Sequence, residues 1–176
     1  MSLICTDCGK EIETLPLECA HSLTNNDETH QCECYMENCG TILINEFVCE
    51  SCCTNRNIMK LNKSFEQLSL ENEEFKEELT FFKKNIIQTK LINSDFNMWV
   101  EFGDGVYLCD KGGKDNPSAV FICSQKIMNQ ILNGTVKPFD AFFGGELKIE
   151  GDLQYSLVYF DLIKLASEII SEARGA

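Results

Sequence analysis

The residues best suited to chemistry are cysteines and histidines, which crowd into the first third of the chain. The sequence has 11 cysteines and 2 histidines, and both histidines and nine of the cysteines lie between residues 5 and 53. Most fall in four short-spaced pairs: Cys5 and Cys8, Cys19 and His21, Cys34 and Cys39, and Cys49 and Cys52. Short spacings let one tight turn supply two ligands of a tetrahedral zinc ion. The four pairs therefore predict two zinc ions, with the alternate ligands His30, Cys32 and Cys53.

The metal is expected to have a structural role. About 50 residues build only a small core, and a closed zinc site can replace one. A catalytic zinc needs an open position that holds water, which a cysteine-dominated cluster does not favour. A disulfide-rich secreted module is the competing interpretation. It is disfavoured because histidines share the cluster, the sequence shows no secretory leader, and a reducing cytosol keeps thiols available for metal.

The order of the pairs resembles two kinds of zinc finger. A turn, a hairpin over residues 41–48 and a helix that supplies the last two ligands resemble a treble clef. The whole series also resembles a cross-braced finger of the RING or FYVE kind. That resemblance implies two sets of four ligands: Cys5, Cys8, Cys34 and Cys39 on one zinc, and Cys19, His21, Cys49 and Cys52 on the other. The stretch between His21 and Cys32 is longer than RING spacing, so the assignment of pairs stays open. The resemblance further implies a protein partner, for which this acidic module favours a basic patch.

Residues 56–94 contain no glycine, proline or cysteine and are predicted to form one long helix. Their apolar residues recur at alternating spacings of three and four: Ile58, Leu61, Phe65, Leu68, Phe75, Leu79, Phe82 and Ile86. With Asn72 as a single polar a position, this heptad pattern is typical of a coiled coil. It predicts a parallel homodimer through residues 58–86. The alternative is that these apolar residues form a stripe along the helix that packs against the chain's own domains.

Residues 95–176 alternate between strand and helix signals. Two alternating segments within 97–110 are joined by Gly103-Asp104-Gly105, and an Asp-Gly step is a strong hairpin signal. A third strand, AVFIC, precedes a helix that Ser124 can cap. Pro138 then starts a short turn, PFDAFF, and a fourth strand, ELKIEG, leads to a last helix over residues 153–171.

Together these elements resemble the sterol carrier protein (lipid-transfer) domain family over about residues 97–165. The resemblance implies an α+β fold, in which helices cover one face of a curved sheet around an apolar tunnel. It also implies these lining residues: Trp99, Phe121, Met128, Ile131, Leu132, Phe139, Phe142, Phe143, Leu157 and Phe160. The alternative for each is a place in the plain core of a small domain. Since the long helix leaves no room for the family's first strand, we expect four strands and an exposed edge that a second protomer covers.

Composition excludes several functions. The net charge of −13 disfavours nucleic acid, whose binding needs lysine and arginine. No apolar run approaches the length of about 18 residues that a membrane span needs. The chain is expected in the cytoplasm and is not expected to be an enzyme, since its histidines lie in the cysteine cluster and no catalytic motif stands out.

The sequence thus predicts three segments in an α+β chain: a zinc module at 1–55, a long helix at 56–94 and a sterol-carrier-like domain at 95–176. Two functions agree with this organisation. One is non-catalytic carriage of an apolar ligand such as a lipid, fatty acid or sterol-like molecule by a zinc-containing dimer. The other is a protein-interaction adaptor, such as a RING-like ubiquitin-ligase module, with the last domain as scaffold.

Overall fold

A computed structural model describes residues 3–12, 40–43, 46–92 and 94–175. The chain divides into two compact units, residues 1–57 and 58–176. The first unit contains two antiparallel pairs: β1 (Leu3–Ile4) with β2 (Glu11–Ile12), and β3 (Gly40–Leu43) with β4 (Glu46–Cys49). Helix α1 (Glu50–Glu71) begins in this unit and ends in the second.

The second unit is a five-stranded sheet with helices on one face. Its elements are α2 (Glu73–Thr80), β5 (Asn85–Leu91), β6 (Asn97–Gly103), β7 (Val106–Lys111), β8 (Ala119–Cys123), α3 (Gln125–Leu132), α4 (Pro138–Phe143), β9 (Leu147–Gly151) and α5 (Leu153–Gly175). The strand order is β7-β6-β5-β8-β9, and only the β5–β8 pair is parallel. Among the described helices, none is long and apolar enough to cross a membrane.

Strand alternation decides which side chains meet the helices. Ile87 of β5 lies opposite Val100 on one neighbour and Ala119 on the other, and all three are buried. Because side chains alternate between faces, the next residues point away from the helices, among them Gln88 and its partner Trp99. The covered face joins helical residues such as Phe65 and Tyr159 in one core, and this arrangement confirms the predicted α+β class.

Local signals in residues 97–153 are confirmed. The hairpin between β6 and β7 turns at Asp104 and Gly105, both with positive φ, as the Asp-Gly step predicts. The Ser124 hydroxyl accepts a hydrogen bond from the Ile127 amide and so caps α3. Pro138 occupies the start of α4.

The prediction of one long helix is wrong. Helix α1 ends at Glu71, and the Asn72 side chain accepts a hydrogen bond from the Phe75 amide at 2.8 Å, so it caps a new helix. The chain becomes strand β5 at Asn85. The apolar stripe packs in the chain's own core, where Phe65 and Leu79 are buried. Residues 58–86 therefore do not form the continuous helix that the predicted coiled coil requires. The homodimer through these residues stays a prediction, because a single chain does not test it.

Strand β5 also corrects the expected four-stranded sheet. It lies at the centre, so the sheet has five strands with β7 and β9 at its edges. No second protomer is needed to cover β7 at Cys109, because helix α1 does so. The Cys109 amide donates to Glu66 Oε2 at 3.0 Å, and the Cys109 carbonyl accepts from Lys63 Nζ at 2.6 Å. These two side chains replace a neighbouring strand at that position.

The Glu66 contacts make stability depend on pH. Burial alone would raise the pKa of Glu66, but hydrogen bonds from Lys63 and the Cys109 amide outweigh it and lower the pKa. A lowered folded pKa means that the stabilisation is present above the unfolded pKa of about 4.3 and is lost as the pH falls through the lower folded value. We expect Glu66→Gln to cost about 0.5 kcal/mol at pH 7, after discount for the partly exposed side chain, and less at pH 3. Urea unfolding at both pH values measures this. The exposed Glu77→Gln control should show no such dependence, and equal costs at both pH values would contradict the prediction.

Gly103 lets the β6–β7 hairpin approach the segment before β5. A Cβ atom added there, at φ +115°, would lie 2.3 Å from the Lys83 carbonyl oxygen, whereas one at Gly112, at φ +95°, would meet no atom within 4 Å. Both sites carry left-handed strain, so a comparison isolates the clash. We expect Gly103→Ala to lower the free energy of unfolding by at least about 2 kcal/mol more than Gly112→Ala. Chemical denaturation measures the difference, and equal losses would show that the close approach is not as described.

Candidate functional site

Four cysteines converge in the first unit. Cys5 and Cys8 lie in the turn after β1, Cys49 ends β4, and Cys52 lies in the first turn of α1. Their four Sγ atoms all lie within 4.8 Å of one another, and those of Cys8 and Cys49 are 3.7 Å apart. Four sulfurs around one zinc ion, each at about 2.3 Å, would be spaced about 3.8 Å apart. The group therefore fits a tetrahedral metal ion bound by four thiolates.

Backbone hydrogen bonds shape the first half of this group. The Gly9 amide donates to the Cys5 carbonyl at 2.9 Å, and Gly9 has a φ of +73°, which closes the turn that the sequence predicted. The Cys5 amide donates to the Lys10 carbonyl at 2.9 Å. The Cys49 amide donates to Cys5 Sγ at 3.3 Å, which links the turn to β4. An amide directed at sulfur favours the thiolate form, the form that binds metal.

The pKa values of these thiols diverge. Burial opposes ionisation of Cys5, yet amides of Cys49, Cys8 and Asp7 lower its pKa to about 7. Burial raises the pKa of Cys49 to about 11, and burial together with its thiol neighbours raises the pKa of Cys52 further. Four crowded thiols thus ionise together only when a cation balances their charge.

The meeting of these four cysteines corrects the cross-braced assignment. That resemblance grouped Cys5 and Cys8 with the third pair, whereas the structure groups them with Cys49 and Cys52. A turn and the start of a helix supply the ligands, an arrangement that the spacing alone did not single out. The alternate ligand Cys53 is half-buried beside the cluster. The other predicted ligands lie outside the described residues: Cys19, His21, His30, Cys32, Cys34 and Cys39.

Arg56 and Asp7 form a paired contact beside the four cysteines. Arg56 Nε donates to one Asp7 oxygen at 2.8 Å, and a terminal nitrogen donates to the other at 2.5 Å. This two-bond geometry ties the turn that carries Cys5 and Cys8 to the helix that carries Cys52.

The covered face of the sheet holds half of the predicted ligand-lining residues. Those that are buried in its core are Phe121, Met128, Ile131, Leu132 and Phe160. The Phe121 ring lies 5.1 Å from that of Phe160 and 5.7 Å from that of Tyr159. Phe102, which the sequence did not single out, stacks on Tyr159 at 5.7 Å. Helix α5 thus meets strands β6 and β8 around a cluster of aromatic rings.

The other predicted lining residues lie elsewhere or at the margin. Trp99 lies on the opposite face of the sheet from Val100 and Phe121, where Lys114 Nζ lies 3.8 Å from its ring centroid. Phe143 is 80% exposed and Phe139 is 41% exposed, although the Phe139 ring still lies 6.3 Å from that of Phe160. Phe142 and Leu157 are partly buried. The structure therefore does not bring Trp99 to the predicted cavity, since its position in β6 has the wrong parity.

The uncovered face around Trp99 is polar. The Glu101 carboxylate accepts from Lys114 at 2.5 Å and lies 3.1 Å from Lys84 Nζ. The hydrogen bond from Lys114 lowers the Glu101 pKa against the opposing effect of burial. Gln88 donates to the carbonyls of Met98 and Gly112 and accepts from the Lys114 amide. These contacts hold the loop after β7 against the uncovered face. Trp99 therefore packs beside Lys114 on that face and lies on the opposite side of the sheet from the aromatic cluster.

A polar cluster that the sequence did not indicate lies within the core. Asn62 Oδ1 accepts from the Tyr107 hydroxyl at 3.0 Å and from the Tyr159 hydroxyl at 3.5 Å. Asn62 Nδ2 donates to the Ile58 carbonyl at 2.9 Å. Burial raises the pKa of both phenols, so they stay protonated and remain donors. The cluster joins α1, β7 and α5 at one buried point.

Comparison with known proteins identifies the protein family that the second unit resembles. The SCP-2 sterol transfer family model matches residues 61–164. Sterol carrier protein 2 from Yarrowia lipolytica, in its apo form, is 16% identical with a TM-score of 0.50, over 66% of this chain and 91% of that chain. Sterol carrier protein domain 2 of Helicoverpa armigera is 21% identical with a TM-score of 0.48, over 64% and 89%. The family match and the likeness to the Yarrowia lipolytica structure show that the second unit has a sterol carrier fold.

The match to the family model spans more than half of the chain. The protein therefore belongs to the SCP-2 sterol transfer family. No curated protein sequence matches the chain.

Proposed function

We propose that residues 58–176 bind and carry an apolar ligand, such as a lipid, fatty acid or sterol-like molecule, without chemical conversion. The family match over residues 61–164 is the observation that carries this proposal. It is supported by the aromatic face around Phe121 and Phe160, which helices cover from the solvent. We place the ligand against this face, with Met128, Ile131 and Leu132 of α3 as further contacts.

Titration with diphenylhexatriene, a hydrocarbon fluorophore, tests this proposal. We expect saturable binding of about one probe per chain, because an apolar site excludes water and holds the dye. Ile131→Phe adds bulk to the proposed contact face and should weaken binding by about ten-fold, or about 1.4 kcal/mol. The exposed Phe143→Ala provides the control and should bind as the wild type does. A wild-type protein that binds neither this probe nor a fluorescent sterol would refute ligand carriage and favour the alternative adaptor function, with residues 58–176 as a scaffold.

We propose zinc for the four-cysteine site. Tetrahedral sets of four sulfurs are typical of zinc or of iron–sulfur clusters, and the spacing suits a single ion. With four thiolates and no place left for water, this zinc would be structural and would supply folding energy to the first unit. A second zinc is expected from predicted ligands outside the described residues. We further propose that this module binds a protein partner, and that the protein acts in the cytoplasm, where its thiols stay reduced.

A further inference from the structure

Asn129 is a polar side chain in an apolar setting. It lies on α3, is 3% exposed, and its Oδ1 atom has no hydrogen-bond partner. Among the described residues, this is the only buried side-chain nitrogen or oxygen atom in that condition. Burial of an acceptor without a donor costs free energy, so such an atom is expected where something else supplies the donor.

The position of Asn129 connects it to the proposed ligand face. It directly follows Met128 and lies one helical turn before Leu132, and both neighbours belong to the core around Phe121 and Phe160. The Leu132 carbonyl accepts from the Ser167 hydroxyl of α5 at 3.4 Å, so this part of α3 packs against α5. The unpaired oxygen is thus carried by the helix that contributes three of the proposed ligand contacts.

The charges of the core restrict the kind of ligand. Among the described residues, no lysine, arginine or histidine is buried. Glu101, the one charged residue that is buried in the described part of the chain, lies on the other face of the sheet with Lys84 and Lys114. A carboxylate or phosphate taken into this core would therefore lack a cationic partner, and its desolvation would oppose binding.

We propose that Asn129 Oδ1 accepts a hydrogen bond from the hydroxyl group of an uncharged apolar ligand, a long-chain alcohol or a sterol. The inference rests on the proposed function and assigns it a specificity-determining residue. The hydroxyl supplies the donor that Asn129 lacks, and the rest of the molecule lies against the apolar face. A ligand with only acceptor atoms at its polar end would leave Oδ1 unpaired.

Competition experiments with matched ligands test this assignment. Octadecan-1-ol, its methyl ether and octadecanoate are each used to displace diphenylhexatriene from the full chain. In the wild type we expect the alcohol to bind about ten-fold more tightly than the ether, since only the alcohol can donate. In Asn129→Leu, whose affinity for the hydrocarbon probe is measured separately, we expect equal affinities for the alcohol and the ether. Gln130→Leu, on the same helix but partly exposed, should keep the wild-type preference.

Ligand-free stability gives an independent readout. Leucine has nearly the shape of asparagine and no unpaired acceptor, so Asn129→Leu should raise the midpoint of thermal unfolding by about 3 °C. A purely structural role for Asn129 predicts a lower midpoint instead.

The outcomes separate this inference from the proposed function. If the wild type binds diphenylhexatriene but holds the alcohol and the ether equally, or prefers octadecanoate, the assignment of Asn129 fails while ligand carriage stands. This comparison uses only the wild type, so it tests the proposal even if the Asn129→Leu protein does not fold. If the wild type binds neither the probe nor any of the three competitors, ligand carriage fails and the assignment fails with it.

Discussion

Cys49→Ser is expected to remove one metal ion per chain and to unfold the first unit. Cys49 is one of the four converging cysteines: its Sγ lies 3.7 Å from that of Cys8, and its amide donates to Cys5 Sγ. Structural zinc supplies about 10–16 kcal/mol of apparent binding free energy in small fingers, far more than the few buried residues in the described part of this unit can replace. Elemental analysis of the purified chain measures the metal, and amide hydrogen exchange in residues 3–12 and 46–57 measures the unfolding.

Cys53→Ser is the matched control for this experiment. Cys53 is half-buried against the same cluster but is not one of the four converging thiols. We expect it to keep the wild-type metal content and exchange protection. If Cys53→Ser loses as much metal as Cys49→Ser, the ligand set is misassigned. If Cys49→Ser keeps its metal, the four-thiolate site is contradicted.

Asn62→Leu is expected to destabilise the second unit by about 3 kcal/mol. The substitution leaves the buried hydroxyls of Tyr107 and Tyr159 without their shared acceptor, and each unpaired group costs about 1–3 kcal/mol. The Ile58 carbonyl, which also loses a donor, keeps its place in the helix. Chemical denaturation measures the loss of free energy of unfolding when it is followed by a spectroscopic signal that reports on residues 58–176.

The same substitution should be nearly neutral in a chain that also carries Tyr107→Phe and Tyr159→Phe. Removal of both partners of a buried hydrogen bond leaves no group unpaired. A loss of about 3 kcal/mol in both backgrounds would mean that Asn62 acts through packing rather than through the two phenols.

Features that depend on neighbouring residues could be predicted from the sequence. Asp104 and Gly105 require positive φ and form the hairpin turn, and Ser124 caps α3 through an amide three residues away. For the same reason, the short spacings of Cys5 with Cys8 and of Cys49 with Cys52 identified the two pairs that make up the four-cysteine group. Which pair meets which depends on how β4 returns to the turn after β1, and spacing does not encode that.

The errors concern residues whose partners are distant in the sequence. A spacing of three and four residues fits both a coiled-coil seam and the buried side of an ordinary helix, so Phe65 and Leu79 were compatible with either. Asn72 suits a helix cap as well as an a position, and only the fold selects between them. The run of β-branched residues at Ile86, Ile87 and Thr89 was the available signal for strand β5.

The proposed ligand face around Phe121 and Phe160 shows the same division. Phe121 and Phe160 could be predicted from the family pattern, but Trp99 alternates out of phase with the buried residues Val100 and Phe102. Because side chains alternate along a strand, Trp99 cannot share the covered face with Val100 and Phe102. Asn62 meets Tyr107 and Tyr159 across separations of 45 and 97 residues, so no local pattern could have identified the cluster.

Native mass spectrometry of the full chain, purified without detergent, tests the central claim most directly. We expect a bound species of lipid mass at about one per chain, which organic extraction releases and a fluorescent sterol or diphenylhexatriene displaces. Ile131→Phe should carry less of this ligand, and Phe143→Ala should carry as much as the wild type. A chain that carries no ligand after incubation with lipid vesicles, and that leaves both probes unbound, would contradict the assignment of residues 58–176 as an apolar-ligand carrier.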